Sequence, residues 1–216
     1  MASLFAIIVA GGSGSRMNSD VPKQFLLLHG KPILQHTVER FLSIVPIPQL
    51  ILVLPARDRS TWKVLCQQYN FHPIIQVVDG GATRFQSVRN GLNAIHGSDG
   101  LVAVHDGVRP FVSPEIIKNS YETAARTGSA VTCVPVNDSV RQIGPDGSST
   151  ALNRSTLRLI QTPQTFELGR FRRAFQTEEQ PIFTDCASVM EHAGFRITLI
   201  DGSYENIKIT TPADLR

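Results

Sequence analysis

The chain has 216 residues, 42% of them hydrophobic and 18% charged, with a formal net charge of +3. This is an ordinary globular composition, which excludes a disordered or fibrous chain, and a domain of this length buries about 70% of its unfolded surface on folding. The small charge and the lack of a Lys/Arg run exclude an electrostatic footprint for nucleic acid, while sixteen Arg against five Lys favour small anionic ligands, because Arg grips phosphate and carboxylate bidentately.

In chain order, the apolar run Leu4–Ala10 has no basic region before it and leads straight into a glycine loop, so it predicts a strand and not a secretory leader. Pro32–Ile44 predicts a helix with Pro at its first position. Leu50–Leu54, Ile74–Val78 and Leu101–Val104 predict short strands rich in Ile, Leu and Val. Being apolar on both sides of the pleat, they suit a mostly parallel sheet. Ser113, Pro114 and Glu115 read as cap, first position and dipole-matched acid of a helix that ends at Gly128. Ala130–Val136 and Ile197–Ile200 predict two more strands, and Thr184–Ala193 a helix stopped by Gly194. Strands alternating with helices along 1–216 predict a single α/β domain, a three-layer sandwich around one sheet. The polar stretch Asn137–Ser155, turned at Gly144-Pro145-Asp146-Gly147, predicts a projecting β-hairpin. A lone hairpin is marginal in water, so it must pack against something, and a second copy of the chain is one candidate.

Cys66, Cys133 and Cys186 lie far apart without a paired spacing. They predict neither a disulfide framework nor a zinc site, and suit a reducing cytoplasm. No apolar stretch approaches the roughly 18 residues of a membrane span, so no membrane partner is expected.

The chemistry is concentrated after the first strand, in Ala10-Gly11-Gly12-Ser13-Gly14-Ser15-Arg16-Met17 and then Pro22-Lys23-Gln24. Glycines let backbone N–H groups close around phosphates. The P-loop is excluded because Arg16-Met17 stands where Gly-Lys-Ser/Thr is needed, and the dinucleotide fingerprint fails at Met17. What remains is a glycine loop followed by two cations, Arg16 and Lys23, able to neutralise a triphosphate as its charge shifts. Asp106 follows the strand Leu101–Val104, at the sheet edge where open α/β folds bind ligands. A carboxylate beside triphosphate implies an intervening cation, hence Mg²⁺. Adjacent strand residues point to opposite faces, so His105 reads as packed and hydrogen-bonded, not as Asp106's metal partner. No serine sits in a G-x-S-x-G setting, which disfavours a serine hydrolase.

The segment A-G-G-x-G-x-R-M-x4-P-K-Q resembles the signature of the sugar-nucleotidyltransferase superfamily, and within it the 2-C-methyl-D-erythritol 4-phosphate cytidylyltransferase family. Gly80-Gly81-Ala82-Thr83-Arg84-Phe85-Gln86-Ser87-Val88, Val104-His105-Asp106-Gly107-Val108-Arg109-Pro110, Gln161-Thr162-Pro163-Gln164, Thr184-Asp185-x-Ala187-Ser188 and Asn206-Ile207-Lys208-Ile209-Thr210 follow in the family's order. The resemblance implies a Rossmann-like nucleotidyltransferase fold and transfer of CMP from CTP to 2-C-methyl-D-erythritol 4-phosphate in the non-mevalonate isoprenoid pathway. It implies that Ala10, Gly11, Gly12, Gly14, Gly81, Ala82 and Ser87 bind CTP. Arg16 and Lys23 would stabilise the transition state, and Arg154 and Lys208, the latter in a short strand Asn206–Ile209, would position the acceptor phosphate. Asp106 and Thr184 would bind the acceptor, whereas Arg109 either touches it or holds the loop by pairing with Asp106. Arg84 and Arg89 read equally well as solvated helix residues, Arg89 above all. The arm 137–155 would cross to a partner in a homodimer and complete the neighbour's site.

The chain departs from the family pattern at Cys186, where an acid is usual, and at Thr165, where a second aromatic is common. It stops at Arg216, inside what is expected to be a final helix, as a truncated chain would. Ribitol 5-phosphate as acceptor, or a nucleotide-binding regulator without turnover, are the rival readings. A Rossmann-type oxidoreductase is disfavoured by Met17 and by the missing carboxylate about 20 residues past the loop.

Overall fold

The computed structural model describes residues 2–11 and 21–215. In order, the chain forms β1 (Leu4–Val9), a small ribbon of β2 (Leu27–Leu28) and β3 (Lys31–Pro32), α1 (Ile33–Leu42), β4 (Gln49–Leu54), α2 (Arg59–Gln68), β5 (Ile75–Asp79) and α3 (Arg84–Asn93). Then come β6 (Leu101–Asp106), α4 (Pro114–Thr127), β7 (Ser129–Pro135), β8 (Val140–Ile143), β9 (Ser149–Leu152), β10 (Arg158–Glu167), α5 (Leu168–Ala174), α6 (Cys186–His192) and β11 (Leu199–Asp201).

Seven strands make one central sheet in the order β11-β7-β10-β6-β1-β4-β5. All of its pairings are parallel except those of β10, which runs antiparallel to both β6 and β7. Two apolar clusters cover its faces, as β1 illustrates. Phe5 and Ile7 pack with α3, α5 and α6, while Ala6 and Ile8 pack with α1, α2 and α4. The fold is therefore the expected three-layer α/β arrangement, and β8 pairs with β9 in the expected hairpin.

Local chemistry explains most element boundaries and corrects some. Ser113 caps α4 by accepting from the Ile116 N–H, and Gly128 ends it at φ +88°, a left-handed conformation suited to glycine. Pro32 caps α1 and is not its first helical residue. The predicted helix from Thr184 begins only after Asp185, whose carboxylate accepts from Ser188 N–H while the Ser188 hydroxyl lies against the Asp185 backbone, a capping box. The strand ending at Val104 in the sequence reading extends to Asp106. Conversely, 206–209 is no strand, although Ile209 N–H bonds the Val108 carbonyl. Strand β10 was absent from the sequence reading because Pro163 argues against a central strand. The sheet accommodates it with a register shift between Ile160 and Gln164, where the Pro163 carbonyl accepts from the Thr132 hydroxyl. Among the described residues no helix is long and apolar enough to cross a membrane.

Phe166, fully buried on β10, stacks on Phe171 with ring centroids 4.8 Å apart. Phe166→Ala is expected to cost about 3–5 kcal/mol, read as a lowered urea midpoint; a loss under about 1 kcal/mol would mean that this layer closes over the gap.

Candidate active site

The parallel register brings four strand ends to one edge. Val9 of β1 lies opposite Asp106 of β6 and Val53 of β4, and Leu54 of β4 lies opposite Asp79 of β5. The chain leaves β1 toward β4 on one side and β6 on the other, so this edge is the switch point at which open α/β sheets bind ligands. Hydrogen bonds carry the alignment into the loops: Ala10 N–H bonds the Val53 carbonyl, Gly80 N–H the Leu54 carbonyl and Gly107 N–H the Val9 carbonyl.

A cavity of about 540 Å³ opens there, with Ala10, Gly11, Lys23, Gly81, Ala82 and Ser87 in its wall. A Cβ on Gly81 would collide with the Gln86 side chain, so only glycine turns the chain here. The Ser87 hydroxyl accepts from the Gly81 N–H at 3.1 Å, which leaves its own proton to donate elsewhere. Lys23 is buried in a short turn opened by Pro22. Its neighbours anchor that turn: Gln24 donates to Asp58 at 3.0 Å, and the Phe25 ring packs against Trp62. Gly12, Gly14 and Arg16 lie outside the described residues.

A second cavity of about 260 Å³ adjoins the first, with Arg109, Thr162, Gln164, Thr184 and Asp185 in its wall. Asp106, Lys208 and Arg84 line both. Lys208 Nζ stands 3.0 Å and Arg109 Nε 3.5 Å from Asp106 Oδ2, and Arg84 stands 3.6 Å from Oδ1. Burial by itself raises the Asp106 carboxyl, but Arg84, Lys208 and Arg109 outweigh it and hold the group well below the usual carboxylate range. One buried anion thus gathers three cations from α3, the loop after β6 and the C-terminal segment. Arg109 pairs with Asp106 and donates to the Asn206 carbonyl at 2.7 Å, as the brace alternative has it, and it also lines the smaller cavity, where an acceptor could reach it.

That electrostatic setting bears on the metal. Both Asp106 oxygens face cations, and among the described residues no three His, Cys, Asp or Glu side chains are grouped to hold an ion. The residues present do not fit a resident Mg²⁺ on Asp106, because an ammonium and two guanidinium groups already occupy its field.

His105 is packed and hydrogen-bonded as expected, and it closes a ring of bonds around Asp106. Its Nε2 faces the Arg109 carbonyl at 3.2 Å, and since a carbonyl only accepts, Nε2 carries the proton. Nδ1 therefore accepts from the Thr162 hydroxyl at 3.1 Å, and that oxygen accepts the Asp106 N–H at 3.0 Å. The Arg109 N–H returns to the Asp106 carbonyl. Burial pushes the imidazole down to about 4, against the Arg109 hydrogen bond and the Asp106 charge, which keeps it neutral. Gln164 aligns the far wall. Its Oε1 accepts from the Cys186 and Ala187 N–H groups and its amide donates to Asp185.

Arg154 is not brought to these cavities within one chain; it sits exposed at the foot of the hairpin, donating to the Asn137 carbonyl. Arg89 is exposed with its guanidinium over the Phe85 ring, as expected. Arg84, which the sequence leaves equally open to a solvated helix position, lines both cavities. Helical spacing marks it as a first-turn cation, and only its place two residues after the Gly-Ala turn hinted at the cavity.

A glycine turn at the switch point, a buried lysine and a cation cluster around one carboxylate define a site for a phosphate-rich nucleotide and a second anion, as in nucleotidyltransferases. A family model described as 2-C-methyl-D-erythritol 4-phosphate cytidylyltransferase matches residues 4–216. Similar proteins of that name include one from Bacteroides thetaiotaomicron, 49% identical over 210 residues covering 97% of this chain and 95% of the relative. Another, from Porphyromonas gingivalis, is 48% identical over 213 residues, 98% of this chain and 94% of the relative. The solved structure of the Anaerococcus prevotii 4-diphosphocytidyl-2C-methyl-D-erythritol synthase is 29% identical with a TM-score of 0.85, covering 99% of this chain and 93% of its own. The Francisella tularensis 2-C-methyl-D-erythritol 4-phosphate cytidylyltransferase is 32% identical with a TM-score of 0.80, covering 99% and 97%. The chain belongs to the 2-C-methyl-D-erythritol 4-phosphate cytidylyltransferase family.

Thr162→Val keeps the volume but strips the partner from the Asp106 N–H and His105 Nδ1. It is expected to cost about 1–3 kcal/mol and to raise the acceptor KM, with Thr162→Ser close to wild type; a wild-type urea midpoint for the valine variant would contradict this. Between pH 6.5 and about 4 the unfolded state holds a proton on His105 that the folded state lacks, so stability falls as the pH drops through that window. In His105→Gln the acid limb of a pH–stability profile is expected to flatten by about one proton.

Proposed function

We propose that the chain transfers CMP from CTP to 2-C-methyl-D-erythritol 4-phosphate, releasing pyrophosphate, as a step of isoprenoid precursor synthesis. The observation that carries this reading is the pair of adjoining cavities with Asp106, Lys208 and Arg84 in their shared wall. CTP fills the larger cavity, its cytosine and ribose against Gly81, Ala82 and Ser87 and its phosphates toward Gly11 and Lys23. The acceptor fills the smaller one, its hydroxyls toward Asp106 and Thr184 and its phosphate toward Lys208.

An oxygen of the acceptor phosphate attacks the α-phosphorus of CTP. The new P–O bond forms as the α–β bridge breaks, and pyrophosphate carries away the electron pair. The attacking oxygen is already anionic, so no general base is required and catalysis is mostly positioning and charge stabilisation. Lys23, with Arg16 from outside the described residues, stabilises the crowded α-phosphoryl group. When bound with the triphosphate, Mg²⁺ would supply charge neutralisation there, and Asp106 serves the acceptor and its cations.

The active form is a homodimer in which the arm 137–155 of one copy reaches the other, with one nucleotidyltransferase domain per chain. Ile143 on the hairpin is 65% exposed, and Leu152, Leu159 and Ile160 near its base are exposed as well. A surface of this kind is buried in the complex it serves. Arg154 at the foot of the arm then positions the acceptor phosphate in the partner's site. The enzyme works in the cytoplasm, in keeping with three free cysteines.

Pyrophosphate release with CTP is expected for 2-C-methyl-D-erythritol 4-phosphate and to be far slower for ribitol 5-phosphate; no release with either would leave a nucleotide-binding regulator. Lys23→Ala is expected to lower kcat about 10²-fold or more, whereas a raised KM alone would make Lys23 only a binding group. Mixing inactive Arg154→Ala and Lys208→Ala chains is expected to restore about a quarter of wild-type activity, since a mixed dimer keeps one intact site. No recovery after confirmed exchange would assign Arg154 to its own chain or to no site.

A further inference from the structure

Asp106, Lys208 and Arg84 share the wall between the two cavities. The transfer reaction gives the first two a role and leaves Arg84 without one. Arg84 opens α3 directly after Thr83, whose hydroxyl caps the helix by accepting from the Gln86 N–H. Three residues further on, Ser87 holds the glycine turn by accepting from the Gly81 N–H. The backbone that presents Arg84 is thus fastened to the turn that borders the nucleotide cavity.

Its guanidinium is poorly spent where it stands. The one hydrogen bond it makes among the described residues goes to the Cys186 sulfur at 3.3 Å, a weak acceptor. Burial pushes the Cys186 thiol up, so it is neutral and cancels no charge. The approach to Asp106 at 3.6 Å is longer than a hydrogen bond. A guanidinium has five donors in a rigid fork matched to phosphate oxygens. This one is 27% exposed, at the boundary where an anion in one cavity meets an anion in the other.

We infer that Arg84 is a catalytic residue of the transfer, its fork contacting both the attacking acceptor phosphate and the α-phosphoryl group under attack. Cytidylyl transfer at this site is its premise. Two like-charged groups must approach to bonding distance for reaction, and their repulsion is greatest in the transition state. A cation touching both therefore does most there and lowers the barrier more than it tightens ground-state binding. In the resting protein Arg84 balances Asp106, and it turns its remaining donors to phosphate when the substrates arrive.

The test is steady-state kinetics of Arg84→Gln and Arg84→Lys with CTP and 2-C-methyl-D-erythritol 4-phosphate varied independently, and Arg89→Gln on the same helix as control. Arg84→Gln is expected to lower kcat about 10²-fold or more, with each KM within a few-fold of wild type. Arg84→Lys recovers only part of this, because an ammonium replaces the fork, and Arg89→Gln stays at the wild-type rate. If Arg84→Gln fails to fold, the lysine variant decides. A wild-type kcat in that variant, or in Arg84→Gln a raised acceptor KM with kcat unchanged, overturns the inference and makes Arg84 only a brace for Asp106. Failure of the premise is a separate result, the absence of pyrophosphate from the wild-type protein with these substrates.

Discussion

A single buried carboxylate organises the chemistry of this protein. Three cations from segments far apart in the chain converge on Asp106, and none of them would sit beside the others without it. At short separation in a partly desolvated site like charges repel by several kcal/mol, so an anion at the centre is the condition for assembling the cluster. The cluster keeps a net positive charge even so, and that surplus suits a site that must bring two phosphates together. The same crowding leaves Asp106 ill suited to a resident divalent ion.

The fold's share of the work is to fix where that carboxylate stands. Parallel pairing aligns Asp106 with the end of β1, and the antiparallel β10 brings Thr162 alongside to take its N–H. Around it runs a closed circuit through Thr162, His105 and Arg109 in which every donor has an acceptor. Buried polar groups satisfied in one arrangement resist any other, which is how a sheet edge holds reactive side chains still. Gln164 does the same for the wall toward Thr184 by tying the start of α6 to β10.

Much of this could be read from the sequence, for reasons particular to each segment. The buried strands show as Ile- and Val-rich runs, and α4 carries its cap and its stop in Ser113 and Gly128. The glycine turn at Gly81, Lys23 beside Pro22, and Asp106 at a strand end were legible because their chemistry is tied to local sequence. Strand β10 was not, because Pro163 reads locally as a breaker and only the neighbouring strands make room for it. The convergence on Asp106 is tertiary and leaves no spacing in the sequence, so Arg84 reads equally as a solvated helix residue and Lys208 as part of a strand. Arg154 stands exposed at the foot of the hairpin and lines neither cavity, so one chain brings it to no site.

The central claim is that two anionic substrates meet across the wall formed by Asp106, Lys208 and Arg84. A crystal structure with a non-cleavable CTP analogue, magnesium and 2-C-methyl-D-erythritol 4-phosphate tests it most directly. The account predicts the α-phosphorus in the larger cavity and the acceptor phosphate in the smaller one, with an acceptor oxygen facing that phosphorus in line with the leaving pyrophosphate. A nucleotide bound away from the glycine turn, or an acceptor phosphate turned away from Lys208, would contradict it.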